Sequence, residues 1–314
     1  MPNCRLGTLI ATATIILLTA GAPAPAAVLE HVGTFVWREK VSHFGGFSGI
    51  EISEDGHGFH ALSDRAQLFW GSIDRDAEGR IRGMNIAGRA HLKDSAGVPL
   101  KPGFQGDSEG IAIGADGTIW ISFEGLNRIA GYADPDAAAT RLPRPPRLPE
   151  LKVNLGFESL AILPDGTLMT MPELSLSPDD PFPVLHFRDD EWSQPYTIRR
   201  DGEWRPVGSD YGPDGWFYLL ERGFHGILGF SSRVRRMQLT ETGPINEEIL
   251  LETRPLQYDN LEGISAWHDG HGVRLTMISD DNFLFVQRTE LVEYRVIEQD
   301  PTETAASAPI KPQD

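Results

Sequence analysis

Hydrophobic and polar residues alternate in short runs along most of this chain, and the runs come in pairs separated by an Asp-Gly dipeptide. The clearest pair lies between Asp107 and Glu124, where two apolar runs flank Asp116 and Gly117. Alternation with a period of two predicts β-strands, and Asp-Gly between such runs predicts a tight hairpin because both residues tolerate positive φ. No long segment follows the 3.6-residue period of a helix. The pattern therefore predicts an all-β protein.

The same hairpin pattern occurs five times along the chain. The turn glycines are Gly56, Gly117, Gly166, Gly215 and Gly270. Successive glycines are 61, 49, 49 and 55 residues apart, which leaves room for two more strands after each hairpin. A repeated four-stranded unit of ~40–50 residues is typical of a β-propeller blade. We predict a β-propeller of five four-stranded blades, with six blades as the alternative, in which an N-terminal strand at residues 31–37 completes the last blade.

The two ends of the chain differ in composition from the repeats. Residues 1–26 contain a basic residue, an apolar run and a final Ala-Pro-Ala sequence, which is the pattern of a cleaved signal peptide. Residues 28–298 are predicted to form a single propeller domain, and the polar, proline-rich residues 299–314 a disordered tail. The one cysteine, Cys4, lies in the predicted signal, so the mature protein would have no disulfide. We expect a periplasmic or secreted protein.

The charge of the chain restricts its partners. The sequence has 45 acidic and 28 basic residues, for a net charge of −17. Nucleic acids are excluded as ligands because a phosphate backbone requires a basic surface. We also expect no stable membrane insertion after signal cleavage, a monomeric state, and a small anionic or ester substrate. The acidity has two interpretations, namely solubility and the convergence of carboxylates on divalent cations.

Hairpin geometry predicts where the carboxylates meet. The start of the first strand and the end of the second emerge on the same face of a hairpin. The carboxylates predicted at this channel mouth are Asp64, Asp107, Glu109, Glu124, Glu158, Glu173, Glu221, Asp259, Glu262, Asp280 and Asp281. Like charges at this density repel one another, and Arg65 and Arg222 are too few to neutralise them. We predict at least one Ca²⁺ at the mouth; the alternative is that the glutamates cap backbone N–H groups and tie the blades together.

The basic residues predicted at the same mouth also have two interpretations. Arg65 and Arg222 directly follow acidic residues and are either their salt-bridge partners or a clamp for a phosphate or carboxylate group. His43 and His225 lie in loops on this face and are candidates for a general acid or base. The sequence does not decide between the two interpretations of the arginines.

Several segments resemble one family. They are Asp-Ser-Glu-Gly-Ile-Ala (107–112), Gly-Phe-Glu-Ser-Leu-Ala (156–161), Gly-Pro-Asp-Gly-Trp-Phe-Tyr-Leu-Leu-Glu-Arg (212–222), Asn-Leu-Glu-Gly-Ile (260–264) and Ile-Ser-Asp-Asp-Asn-Phe (278–283). Together they resemble the phytase-like domain family, described as "esterase-like activity of phytase", over residues 44–296. The resemblance implies an exported bacterial propeller that hydrolyses phosphate esters. Calcium-dependent propeller phytases are similar in kind, with six blades and a calcium-lined acidic mouth. The fourth repeat departs from the pattern, because Val207 stands where other repeats carry glutamate.

The sequence leads to one preferred hypothesis and two alternatives. In the preferred one, the chain hydrolyses a phosphate ester with the help of Ca²⁺, which neutralises the phosphate and lowers the pKa of an attacking water. The predicted metal ligands are Asp107, Glu109, Glu158, Glu262, Asp280 and Asp281. Arg65 and Arg222 would stabilise transition-state charge, a glutamate of the ring would act as general base, and Glu221 belongs to the predicted catalytic set. The alternatives are a carboxylester or lactone hydrolase of the metal-centred propeller type and a non-catalytic propeller that serves as a binding platform.

Overall fold

The computed structural model describes residues 27–125, 127–145, 156–175, 177 and 179–299. The predicted signal peptide and, apart from residue 299, the predicted tail lie outside these residues. In chain order the strands are β1 (Ala27–Val36), β2 (Phe47–Ile52), β3 (Gly58–Ser63), β4 (Gln67–Arg75), β5 (Ile81–His91), β6 (Ser108–Ile113), β7 (Ile119–Phe123), β8 (Arg128–Tyr132), β9 (Thr140–Arg141), β10 (Phe157–Ile162), β11 (Leu168–Pro172), β12 (Phe182–Arg188), β13 (Glu191–Ile198), β14 (Arg205–Tyr211), β15 (Phe217–Phe224), β16 (Phe230–Thr240), β17 (Gly243–Glu252), β18 (Asn260–His268), β19 (Val273–Asp280) and β20 (Glu290–Glu298). A short 3-10 helix covers Gly226–Leu228. No helix in the described part of the chain has the length and apolar character needed to cross a bilayer.

The strands form five antiparallel sheets of four strands, which are the blades of the propeller. Blade one is β2–β5, blade two β6–β9, blade three β10–β13, and blade four β14–β17. Blade five has the order β18-β19-β20-β1, so the first strand of the chain is the outer strand of the last blade. The prediction of five blades closed by the N-terminal strand is confirmed.

The hydrophobic core is divided among the interfaces between blades. Each of the five core clusters joins two neighbouring blades, and together they cover all five interfaces of the ring. The interface between blades five and one contains Trp37, which directly follows β1 and stacks on Phe47 with ring centroids 5.2 Å apart. Burial of apolar surface at every interface, including this closing one, is the main force that holds the ring together.

Every inner strand carries a β-bulge near its start. The pairing register with the second strand shifts between Phe47 and Gly49, Ser108 and Ile111, Phe157 and Ser159, Pro206 and Gly208, and Leu261 and Gly263. The residues that fall at the bulges include Ser48, Glu109, Glu158, Val207 and Glu262, which are the residues that the repeat alignment placed in equivalent positions. A bulge leaves a residue out of the ladder and changes the direction of its side chain.

At the residues that directly follow the bulges, the central channel narrows to a neck. The residue after each bulge position is glycine in four blades, namely Gly49, Gly110, Gly208 and Gly263. A Cβ atom on Gly263 would lie only 2.9 Å from the Cα atom of Gly49, so the inner strands approach too closely for a side chain. The free volume at this point is about 10 Å³, at the lower limit for one water molecule. The neck thus separates the two ends of the channel.

Two carboxylates lie on the far side of the neck from the predicted mouth. Glu51 and Asp210 each follow the bulge position of their strand by three residues. Asp210 accepts the N–H groups of Ala266 (2.7 Å) and Tyr211 (2.7 Å). Burial raises the pKa of Asp210 to about 7, and burial together with Asp210 raises the pKa of Glu51 well above its usual value. Asp210, which the sequence placed in an offset position, is thereby separated from the mouth.

This pair predicts a pH-dependent stability. Both pKa values are raised in the folded state, so folding favours the protonated forms of Glu51 and Asp210. Their contribution to the free energy of unfolding is therefore complete below the pKa of the unfolded chain, about 4, and is lost as the pH rises towards 7. We expect Glu51→Gln to increase the free energy of unfolding at pH 8 by on the order of 1 kcal/mol and to change it less at pH 5. Urea unfolding at both pH values measures the difference. The exposed Glu54→Gln is the matched control, and an equal effect of the two variants would contradict the prediction.

Candidate functional site

The inner strands and the ends of the second strands bring eight carboxylates to one end of the channel. We call this set the acidic mouth: Asp64, Asp107, Glu109, Glu124, Glu158, Glu173, Glu262 and Asp280. Backbone pairing continues beyond the strands, so that Glu124 N–H donates to the Asp107 carbonyl (3.0 Å) and Glu173 N–H to the Gly156 carbonyl (3.3 Å). The hairpin ends are therefore held side by side, as the hairpin argument requires.

Three of these carboxylates form a compact cluster. Asp107, Glu109 and Glu124 each present an oxygen atom, and the three atoms lie within 4.8 Å of one another. Burial first and the neighbouring Asp107 second raise the pKa of Glu124 to about 7. Burial, followed by Glu158 and other acids, holds the pKa of Glu109 well above its usual value. Glu124 is missing from the ligand set predicted from sequence, although its pairing with Asp107 follows from the hairpin.

Glu158 lies between this cluster and the arginine of blade four. Its side chain is buried, and its electrostatic neighbours include Glu173, Arg222, Glu262 and Glu124. Burial first and Glu173 second raise its pKa well above the usual value, while Arg222 lowers it. Glu158 is thus a basic carboxylate when it is ionised.

Arg222 neutralises another part of the acidic mouth. Its Nη1 atom contacts Oε1 of Glu262, and its Nη2 atom lies 3.0 Å from Oε1 of Glu173. Asn260 donates to the same Glu262 oxygen at 2.7 Å. Blade four has Val207 instead of glutamate at its bulge, and Arg222 at the end of its second strand places a positive charge at the mouth. Glu262, predicted as a metal ligand, is here the partner of an arginine.

Asp280 and Asp64 form a third group of acids, next to Arg65. Burial raises the pKa of Asp280 to about 8 and that of Asp64 to about 6. The Arg65 guanidinium lies 3.4 Å from the centroid of the Phe283 ring and 4.0 Å from the Asp64 carboxylate. Nearly half of its side chain is exposed, so this arginine can meet an anion that approaches from solvent.

Two of the predicted site residues have other surroundings. Glu221 is fully buried and pairs with Arg233 (2.7 Å) and Arg235 (2.6 Å), because β15 turns it away from Arg222. The Asp281 carboxylate accepts the N–H groups of Gly46 (2.9 Å) and Phe283 (3.0 Å), and so it shapes a loop. We therefore leave Glu221 and Asp281 out of the candidate machinery.

The histidines and a cavity on the opposite face do not add to the acidic mouth. His43 is exposed in the loop before β2, and the His225 ring bonds the Ser231 hydroxyl at 2.7 Å within its own blade. A cavity of about 820 Å³ opens on the opposite face and is lined by residues that include His57, His268 and His271. The arginines of this cavity form ion pairs with acids, for example Arg274 with Asp269. They are therefore not available to bind an anionic ligand.

Comparisons with known proteins agree with this fold. The family signature described as Phytase-like, "Esterase-like activity of phytase", matches residues 42–283. The α-L-arabinofuranosidase of Podospora anserina, solved in complex with cellotriose, is 13% identical over 87% of this chain and 98% of that chain, with a TM-score of 0.50. The PQQ-bound aldose sugar dehydrogenase of Streptomyces coelicolor is 16% identical over 88% and 100%, with a TM-score of 0.48. At 13% identity the likeness to the arabinofuranosidase concerns the fold alone. A comparison with curated proteins gives no match.

The contacts of Arg222 lead to a test of its structural role. We expect Arg222→Gln to lower the free energy of unfolding by about 2–4 kcal/mol at pH 7, because it leaves the buried Glu262 without its cation and Glu173 with Arg205 alone. Arg205 also contacts Glu173, at 3.2 Å, but its side chain is 39% exposed against 20% for Arg222. Arg205→Gln is therefore the control and should cost less than about 1 kcal/mol. Urea unfolding of both variants decides, and a larger loss in the control would refute the assignment.

Proposed function

This chain belongs to the phytase-like family, "esterase-like activity of phytase", and on that premise we propose that it is an exported hydrolase of phosphate esters that acts with a divalent cation, Ca²⁺, at the acidic mouth. The observation that carries the proposal is the cluster of Asp107, Glu109 and Glu124 beside Glu158 and Arg222. The site combines three convergent oxygen ligands, a basic carboxylate and a guanidinium. These are the groups that cation-assisted hydrolysis of an anionic ester requires.

The residues of the cluster fit a hard cation. All three ligands are carboxylates, which suit Ca²⁺ in charge and in donor type. The neighbouring Asp107 helps to raise the pKa of Glu124, so the negative charges of the two carboxylates oppose each other. A cation would relieve this repulsion. Bound there, it would neutralise charge on the substrate phosphate and make the attacking water more acidic.

Residues of the chain supply the remaining steps. Glu158, whose raised pKa makes its carboxylate a stronger base, accepts a proton from the attacking water. The water oxygen forms a bond to phosphorus, the bond from phosphorus to the ester oxygen breaks, and the leaving alcohol takes up the proton that Glu158 had accepted, which regenerates the Glu158 carboxylate. Arg65 is the exposed guanidinium that binds the phosphate, and Arg222 keeps Glu262 and Glu173 neutralised beside Glu158.

A second candidate is the hydrolysis of carboxylesters or lactones. It is favoured by one observation, the exposed apolar loop that contains Leu284, Phe285 and Val286 next to the mouth. The same cation cluster and the same base would serve, with the carbonyl carbon as the atom attacked. Arg65 would be dispensable in this reaction because a neutral ester carries no phosphate.

Turnover separates the two candidates. We expect the purified protein to hydrolyse 4-nitrophenyl phosphate in the presence of CaCl₂, with activity lost in EDTA and restored by added calcium. Glu158→Gln should lower kcat by ~10²–10⁴-fold, which is the usual contribution of a general base. Hydrolysis of 4-nitrophenyl acetate or dihydrocoumarin without hydrolysis of any phosphate ester would select the second candidate. The absence of turnover on all of these substrates would refute both.

Calcium binding is measurable apart from turnover. Isothermal titration calorimetry should detect Ca²⁺ binding to the wild type, and Asp107→Asn or Glu124→Gln should weaken it by at least about 10-fold, since each removes one charged ligand. Asp280→Asn is the matched control because it removes an acid of the same mouth outside the cluster. If the control weakens binding as much as the two ligand variants, the cluster is not the cation site.

A further inference from the structure

A second cavity lies next to the acidic mouth, on the side of blade five. Its volume is about 320 Å³, and we call it the rim pocket. Its lining includes the aromatic residues Phe44 and Phe285 and the charged residues Arg38, Glu39, Asp281 and Arg288. The buried Trp37 supports Phe44 by an edge-to-face contact with ring centroids 4.9 Å apart. A volume of this size is at the lower end of the range for small-molecule sites. It would accommodate one aromatic group.

The loop that carries Phe285 has a fixed base. The Asp281 carboxylate accepts the N–H groups of Gly46 and Phe283 and the Thr289 hydroxyl (3.1 Å). Asn282 and Phe283 have positive φ angles of 46° and 53°, a conformation that residues other than glycine adopt only when their surroundings impose it. The loop is therefore built to hold its tip in a defined place.

Phe285, at the tip of this loop, exposes its entire side chain. Within the described part of the chain, the large apolar side chains that are more than half exposed all lie in loops or strand ends on the face of the acidic mouth. They are Val98, Phe104, Phe224, Ile227, Leu228, Leu256, Leu284, Phe285 and Val286. Clustered exposed apolar residues mark binding surfaces more often than chance positions do. Only the loop of blade five also lines the rim pocket.

The rim pocket and the acidic mouth meet at the end of β19. Asp280 belongs to the mouth, and the next residue, Asp281, lines the pocket. The Phe283 ring lies under the Arg65 guanidinium, and a side chain on Gly46 would collide with both Phe283 and Asp64. An ester group bound at Arg65 would therefore extend its organic part along this loop.

We propose that the rim pocket binds an aromatic or similarly apolar group of the ester substrate, an inference that rests on the proposed function of the mouth. Arg38 and Arg288 at the pocket are balanced by Glu39 and Asp281, so the pocket offers no excess of positive charge. A polyol that carries many phosphates would gain little here and would meet the acids of the mouth. The substrate class is accordingly a monoester of an aromatic or apolar alcohol.

Phe285→Ser tests the pocket without disturbing the core, because the side chain that it removes is fully exposed. Ile227→Ser is the matched control, since Ile227 is equally exposed on the same face but lies outside the rim pocket. The first measurement is the binding of 1-naphthol by calorimetry, which needs no turnover. We expect Phe285→Ser to weaken binding by roughly 3–10-fold, the value of one aromatic contact, and Ile227→Ser to leave it unchanged.

The second measurement compares kcat/KM for 1-naphthyl phosphate with that for glycerol phosphate. The preference for the aromatic ester should fall in Phe285→Ser and persist in Ile227→Ser. If the wild type does not bind 1-naphthol, or if the two variants behave alike, the rim pocket is not the site. If Phe285→Ser weakens the binding of 1-naphthol, Ile227→Ser does not, and no phosphate ester is hydrolysed, then the proposed function is refuted while the rim pocket is still a site for aromatic groups.

Discussion

The close approach of five inner strands at the propeller axis is the constraint on which the rest of the structure depends. A ring of five blades leaves so little room that four of these strands carry glycine at the neck, where the free volume is about 10 Å³. The bulge just before each of these positions turns a side chain towards the wider end of the channel. Closure of the axis and placement of the mouth residues are thus two consequences of one packing requirement.

The same constraint explains why the acids of the mouth interact so strongly. Glu109, Glu158 and Glu262 start from equivalent bulges, so the symmetry of the fold brings them together around one axis. Their burial raises all three pKa values, which is the expected response of carboxylates that lose water and gain like-charged neighbours. A fold that only needed closure could place uncharged residues at these positions, as blade one does with Ser48 and blade four with Val207.

Local sequence patterns were enough to predict the fold. The Asp-Gly turns gave the number of blades, and the apolar strand at residues 31–37 gave the closure, because both depend on interactions that a repeat alignment reveals. The repeat alignment did not predict which side chains the individual acids contact. Glu221 and Arg222 are consecutive, and only the direction of β15 decides that Glu221 meets Arg233 while Arg222 meets Glu262. Likewise, the loop geometry that occupies Asp281 depends on Gly46, which lies 235 residues away.

The departure of blade four from the repeat divides the mouth into two parts with different chemistry. With Val207 at its bulge and Arg222 beside it, blade four adds positive charge where the other repeats would add negative charge. Glu262 and Glu173 are consequently neutralised by a guanidinium, whereas Asp107, Glu109 and Glu124, on blade two, repel one another. A divalent cation gains most where carboxylates lack a positive neighbour. The asymmetry therefore supports the proposed cation cluster of blade two over a symmetric ring of ligands, and it leaves Glu158, between the two parts, as the proposed general base.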